Sequence, residues 1–547
     1  MASRTVLIKA TLSSIPSHVM QFIAIPTKIT NQIDRIQRNF LWGTTQEKKK
    51  MHMIKWEVVT KTKAQGGLGI QKASFKNKAA LASLAWRAYT NTNSLWARVL
   101  IHKNCNLHRP ANAGRHHVSN KSPTWRAMLS GWETCSKASR WIVNKGNRVS
   151  FFNDPWIPNQ PAIRHLIEGP LTNRDLLAKV NSIHNGGAWD TSSLSFDLPP
   201  HILNIITSVF IPSVTTKEDI LIWALTPNGK FSQNSAYSFI HNSAQLSPPG
   251  DLGNFKWLWK LQVPNKIKFF IWSLTHRRLP TRTMLSSMGI NCPTLCQYCN
   301  AGQEDIDHIF FVCPNAAQFW NAIRSKSTSP PPTNPLNSTH LWQTVWPDTK
   351  GGNFNEHLHW AVLVPFCLWH IWLTRNNNVF NNKRELIYAK NTIAKATEFQ
   401  LLKGSSNNTC THQMMLKWEP PPRSCFKLNT DGAVKGKVGI GGIGGIFRNH
   451  NGDWILGYME NIPHTSILEA EFRALIKGLQ LAKQNNLLPL HIDTYSAEII
   501  GMLTEGNLIF DPLICECRLL IQRMGRVVVR HAFREQNRVA DALAKEA

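Results

Sequence analysis

The sequence predicts a multidomain protein: mainly α N-terminal regions, a small cysteine-built module, and then a terminal α/β domain. Three observations predict it. The chain has 547 residues, too many for one hydrophobic core. Its hydrophobic content of 42% is that of a globular protein, not a disordered one. Its patterning also changes along the chain. Basic helical periodicity comes first, a dense cysteine cluster follows at 292–313, and strand-like runs dominate after 425.

The charge is as uneven as the patterning. The formal net charge is +29, with a pI near 9.9. Residues 426–547 hold 14 Lys and Arg against 13 Asp and Glu, whereas residues 1–100 hold 16 against 3. Such a balance favours a polyanionic partner, nucleic acid first and an anionic membrane second, with the grip supplied upstream. Eleven cysteines, an odd number, suit a reducing compartment with one metal site better than a disulfide framework. Lys9 interrupts the first apolar stretch, so no signal peptide is expected. The uncharged runs 10–27 and 357–374 contain Pro16, Pro26 and Pro365 and are not read as membrane spans. The expectation is a soluble intracellular protein.

In chain order, residues 1–100 come first. Ile29, Ile33, Ile36 and Phe40 repeat at helical spacing with Arg35 and Arg38 between them, which reads as an amphipathic basic helix. Gly66-Gly67-Leu68-Gly69 reads as a turn. Residues 101–228 form a connector of unclear fold, with scattered Trp. Residues 229–322 hold the cysteine module, and 323–424 a helical segment and a Pro-rich linker. Linker candidates are 246–250, 327–335 and 404–424, each rich in proline or polar residues. Most of the 21 Trp are expected in cores.

Cys296-x2-Cys299-x8-His308-x4-Cys313 has zinc-ligand spacing. A two-residue gap lets both thiolates of a tight knuckle reach one tetrahedral ion, and the His and last Cys return from a short helix. Four ligands leave no open position, so the zinc would be structural. Asp305 or Asp307 could orient the imidazole. Cys292 is a spare thiol.

In the last domain, 425–547, three acids have the spacing of a nuclease metal site. Asp431 ends a strand, Glu471 lies on a helix, and Asp541 lies near the start of a last helix. Phosphodiester hydrolysis needs an activated water and charge stabilisation at the leaving oxygen, which two Mg²⁺ ions about 3.5–4 Å apart supply. Hard cations need several converging carboxylates. Asn451-Gly452 reads as the turn of a hairpin following the Gly-rich run 436–445. His531, read in a loop, could shuttle a proton or aid product release.

On these residues the chain resembles known families. Residues 418–547 resemble the plant branch of type-1 ribonuclease H. The matching pieces are Trp418, 427–433, 445–448, 471–475 and 534–544, the last containing Arg534-Glu535-x-Asn537-Arg538-Val539-Ala540-Asp541. Residues 229–322 resemble the zinc-binding region of plant non-LTR, LINE-type retrotransposon reverse transcriptases. Residues 3–100, with Phe40-Leu41-Trp42-Gly43 and Gly66-Gly67-Leu68-Gly69, resemble the region after their polymerase palm. Trp369-x2-Trp372-x2-Arg375-Asn376 also fits. The resemblance implies a retroelement remnant ending in a mixed five-stranded sheet with helices. It implies Mg²⁺ or Mn²⁺ held by Asp431, Glu471 and Asp541, with His531 assisting, and hydrolysis of RNA in RNA–DNA hybrids. The partners are RNA–DNA hybrid and RNA, with no membrane and no small-molecule substrate, and the location is possibly nuclear. The chain contains no Asp-Asp pair, so no polymerase activity is expected.

The third catalytic acid in chain order maps to Tyr495, in Ile492-Asp493-Thr494-Tyr495-Ser496. A neutral phenol is a poor Mg²⁺ ligand. Asp493 lies one repeat back, about 6.5–7 Å along the strand, too far for a ligand distance of about 2 Å. Hydrolysis is therefore expected to be strongly impaired. The alternatives are a nucleic-acid-binding protein without turnover and a pseudogene-like product.

Overall fold

A computed structural model describes residues 1–103, 122–185, 188–212, 215–244, 255–328, 352–402, 416–436 and 439–547. The linker candidate 246–250 lies outside these residues, as do 329–335 and 404–415 of the other two. The described chain divides into two compact units, residues 1–81 with 240–411, and 82–239 with 412–547. No described helix is long and apolar enough to cross a membrane.

In the first unit, the N-terminal segments share a core with the helices around the cysteine module. Ile8, Leu41, Ile54, Val59, Leu68 and Ile70 pack with Phe255, Ile267, Ile271, Trp272, Leu363 and Leu368. The glycine turn explains part of this join. Gly66 has φ +84°, and its carbonyl accepts the Trp272 indole N–H at 2.8 Å. The helix Thr27–Trp42 is present, but of its expected apolar face only Ile33 is partly covered, packing against Met20, Ala73 and Ala80. Ile29, Ile36 and Phe40 are exposed, while Thr30, Asp34, Gln37 and Leu41 are buried. Asp34 accepts the Ala73 N–H at 2.9 Å, capping the helix Ala73–Thr90. An orphan N–H at a buried helix start needs an acceptor, and that need outranks apolar periodicity here.

In the second unit, the stretch read as a connector has its own core of Phe151, Phe152, Trp156, Ile163, Ile202 and Ile206. Buried Asp219 accepts the N–H groups of Asn144 and Gly146, each at 2.8 Å, and of Arg148 at 2.9 Å. The strand Ser139–Ile142 pairs antiparallel with Ile220–Trp223.

The terminal domain is numbered from its own first strand: β1 Phe426–Lys435, β2 Ile440–Arg448, β3 Trp454–Ile462, α1 Ile467–Gln484, β4 Leu490–Thr494, α2 Ala497–Glu505, α3 Asp511–Met524, β5 Val527–His531 and α4 Arg538–Glu546. The sheet order is β5-β4-β1-β2-β3. β1, β2 and β3 form an antiparallel meander, and β4 and β5 add in parallel. The meander's second turn is the Asn451-Gly452 hairpin, closed by Asn449 accepting the N–H groups of Asn451 and Asp453. Leu428, Phe447 and Ile492 of the sheet pack against Phe472, Leu475 and Leu479 of α1 and Ile514 and Cys517 of α3. Ser466 caps α1, its hydroxyl accepting the Glu469 N–H at 3.3 Å.

α4 covers the opposite face through glycine. A Cβ on Gly442 would lie 2.3 Å from the Ala544 carbonyl oxygen, and one on Gly444 would lie 2.5 Å from the Ala544 nitrogen. Both obstacles are backbone and cannot rotate away. Gly444→Ala should therefore loosen α4 by about 1–3 kcal/mol. Hydrogen exchange over 538–546 would then quicken by roughly 5–150-fold, at about 1.4 kcal/mol per factor of ten. Gly501→Ala, in open space on α2, should leave that exchange unchanged.

Candidate metal sites

The cysteine module closes as a knuckle. The Cys296 N–H donates to the Gly302 carbonyl at 2.8 Å, and the Asn300 N–H donates to the Cys296 carbonyl at 2.9 Å. A short π-type turn, His308–Val312, brings the imidazole back, and Cys313 leads into the helix Pro314–Arg324. The ligand atoms of Cys296, Cys299, His308 and Cys313 all lie within 4.8 Å of one another. Three thiols and an imidazole at that spacing fit a closed zinc site. The hydrogen bond between the two thiols lowers Cys296 and raises Cys313 from the usual thiol range.

Asp305 accepts the backbone N–H of His308 at 2.7 Å, and Asp307 pairs with Arg277 at 2.8 Å. Room for the ring comes from Gly302, where a Cβ would sit 2.6 Å from His308 Cε1. Cys292 stays outside the set, its Sγ 3.5 Å from the Arg282 carbonyl.

The acids meet on the terminal sheet. Asp431 does not end its strand but sits at its middle, opposite Gly444, because β2 continues the pairing as far as Lys435. Glu471 lies early in α1 and Asp541 in the first turn of α4. Burial, then the nearby negative charge of Asp541, pushes Asp431 up to about 7. Burial also raises Glu471, opposed by the Ser496 and Tyr495 hydroxyls. Its Oε2 is buried without a hydrogen-bond partner. Asp541 is held below the usual range: burial works against this, but Lys545 at 2.5 Å and Arg534 at 3.2 Å outweigh it. These carboxylates do not close to the ligand spacing of the Cys/His set.

Tyr495 follows β4 directly. Burial first, and then its bond to Glu471, keeps its phenol protonated. Asp493 is committed elsewhere: it pairs with Lys427 at 2.8 Å, both side chains nearly buried. His531 is not in a loop. It is the last residue of β5, in register with Thr494, exposed and packed edge-on against Phe533.

Residues 429–547 match a family described as reverse transcriptase-like, and residues 231–320 match zinc-binding in reverse transcriptase. The likeness to these families thus lies in the terminal domain and in the cysteine module. An Arabidopsis thaliana protein provisionally named a ribonuclease H protein is 28% identical over 559 aligned positions, covering 100% of this chain and 89% of the relative. An uncharacterised mitochondrial protein of the same plant is 21% identical over 150 residues, covering 27% of this chain and 95% of its own. Among solved structures, ribonuclease H1 of Halobacterium salinarum is 25% identical, covering 22% of this chain and 96% of that one, with a TM-score of 0.21. LC11 ribonuclease H1, solved with an RNA/DNA hybrid, is 24% identical, covering 22% and 95%, with a TM-score of 0.21.

Around the acids of the terminal domain lie residues that carried the sequence resemblance but had no role assigned to them. The segment before β1, read as linker, is docked on the sheet. The Trp418 indole donates to Asn429 at 2.8 Å, Arg448 stacks over the indole at 4.7 Å, and Gln536 donates to the Lys417 carbonyl at 2.7 Å. Asn537 donates to the Thr430 carbonyl at 3.0 Å, pinning the start of α4 beside Asp431. The available sequence signal was Gly442-x-Gly444, two glycines on one face of a strand, which mark close backbone approach.

For the zinc-binding domain, Cys296→Ala in the full chain should reduce bound zinc well below about one ion per chain by elemental analysis. Gly302→Ala should weaken zinc retention against a chelator in the same direction. Unchanged metal content in both variants would sink the ligand assignment.

Proposed function

We propose that this is a retroelement-derived nucleic-acid-binding protein whose residues 425–547 descend from an RNA–DNA hybrid ribonuclease, with hydrolysis strongly impaired. Its parts are a remnant at 1–100, a connector at 101–228, a zinc-binding domain at 229–322, a helical segment and linker at 323–424, and the ribonuclease H domain. A nuclear location goes with that origin, and no polymerase activity is retained.

One observation carries the reading: a buried Glu471 with an orphaned Oε2, beside buried Asp431 on the central strand, with Asp541 of α4 acting on that Asp431. An unpartnered buried carboxylate oxygen is costly unless something binds it. By chemistry the three carboxylates suit a hard divalent cation, Mg²⁺ or Mn²⁺, which would be held by Asp431, Glu471 and Asp541 drawn closer together than they lie here. Such an ion would supply charge for an attacking water and for the leaving oxygen. His531, exposed at the end of β5, is placed to exchange protons with solvent.

Binding without turnover is the second reading, and Tyr495 favours it. The phenol at the third acid position donates to Glu471, and two cations already hold Asp541. The basic upstream half would then supply the grip on nucleic acid.

Cleavage of a labelled RNA–DNA hybrid with Mg²⁺ or Mn²⁺ decides between them, wild type beside Tyr495→Asp. The wild type should be slow and Tyr495→Asp at least about tenfold faster, since losing even an outer partner of a metal ligand costs about 10–100-fold. Equal rates would overturn the role given to Tyr495.

A further inference from the structure

Beside the start of α1 lies a groove of about 1310 Å³, lined by none of Asp431, Glu471, Tyr495 and Asp541. Both walls belong to the second compact unit. Residues 136–165 and 205–210 form one wall, and 464–469 and 509–513 the other. The walls are joined firmly. Arg473 of α1 donates to the Ser208 carbonyl and stacks on Phe210, and Lys217 pairs with Asp511 at 2.8 Å. The groove is larger than the roughly 300–1,000 Å³ of a small-molecule pocket.

Its charge is one-sided. Glu469 is the sole carboxylate among the lining residues, and Arg473 already neutralises it at 2.7 Å. Arg140 and Lys137 face it with His165 and His464, Lys137 being shared with the exposed Glu133 at 3.3 Å. Arg140 is half-buried, and the Glu469 carboxylate across the groove is its electrostatic partner, with no direct hydrogen bond between them. Burial works against its charge and Glu469 only partly offsets this, so an anionic acceptor in the groove would be favourable. The capped N-terminus of the 18-residue α1 opens into the same groove at Ser466, adding a positive helix end. Half-buried Phe510 offers an aromatic surface.

We propose that this groove binds the phosphodiester backbone of a single-stranded nucleic acid, with Arg140 and Lys137 on phosphates. A positively lined channel with an aromatic ring, closed on both sides, suits one strand and not a duplex. The site is separate from the acids. It rests on the proposed function only for the class of partner.

The test uses the full chain in chelator with fluorescent single-stranded RNA, so the acid site cannot contribute hydrolysis. Arg140→Gln and Lys137→Gln should each lower affinity about fivefold at 0.1 M salt, equivalent to a salt slope smaller by about 0.7 per lost phosphate contact. Arg140→Lys should restore most of the slope, separating charge from folding. Photo-crosslinking with 4-thiouridine RNA should mark peptides from 136–165 and 464–469. An unchanged salt slope in the double variant, or crosslinks found elsewhere alone, would overturn the proposal. Because Tyr495→Asp does not touch this groove, either result leaves the hydrolysis reading to its own assay.

Discussion

Helix α4 lies closer to strand β2 than any side chain on that strand would allow, and the acid site exists because of it. Bare backbone at Gly442 and Gly444 lets the helix settle onto the sheet. Asn537 then anchors its first turn to the Thr430 carbonyl, one residue from Asp431. A methyl group at either glycine would push Asp541 away from the other two carboxylates. Gly432 does the same on the other face, where a Cβ would lie 2.5 Å from the Glu471 nitrogen. Two helices are thus held at backbone distance from one pair of strands, and each carries an acid.

Bringing carboxylates together out of water has a cost, and this domain meets it in three ways. Asp431 shifts toward its neutral form. Asp541 takes two cations from its own helix and the preceding turn. Glu471 receives hydroxyl donors, one of them Tyr495. The phenol is therefore more than a missing ligand, because it is part of how the fold tolerates Glu471. Asp493 cannot take its place, since Lys427 already holds it and breaking a nearly buried pair leaves an uncompensated charge. The same logic governs the zinc-binding domain. There buried Glu304 pairs with buried Arg375, joining the knuckle to the long helix Trp360–Asn381.

Much of both sites was legible in the sequence. Cys296, Cys299, His308 and Cys313 are close in the chain, so their spacing alone indicates one ion. Asp431, Glu471, Tyr495 and Asp541 could be named because each sits in a short local pattern. Less legible were features that depend on distant partners. The apolar face of Thr27–Trp42 stayed largely uncovered because Asp34 was needed at the start of another helix. Trp418 looked like part of a linker because its partners, Asn429 and Arg448, lie beyond it on the sheet. Phe151, Phe152 and Trp156 form a core that no periodicity announces, because loops and short turns build it.

The sequence by itself determined which chemistry is present: soft ligands in one place, carboxylates in another, a phenol among them, and a surplus of positive charge upstream. Those are properties of residue type and short spacing, and they survive without a fold. Only the tertiary structure decided which of these groups are free to act. It committed Asp493 to Lys427, gave Asp541 two cations, left Glu471 Oε2 bare and left Arg140 facing an open groove. The physical reason is that charge and hydrogen-bond compensation are settled between residues far apart in the chain, by whichever partners packing brings within about 3 Å.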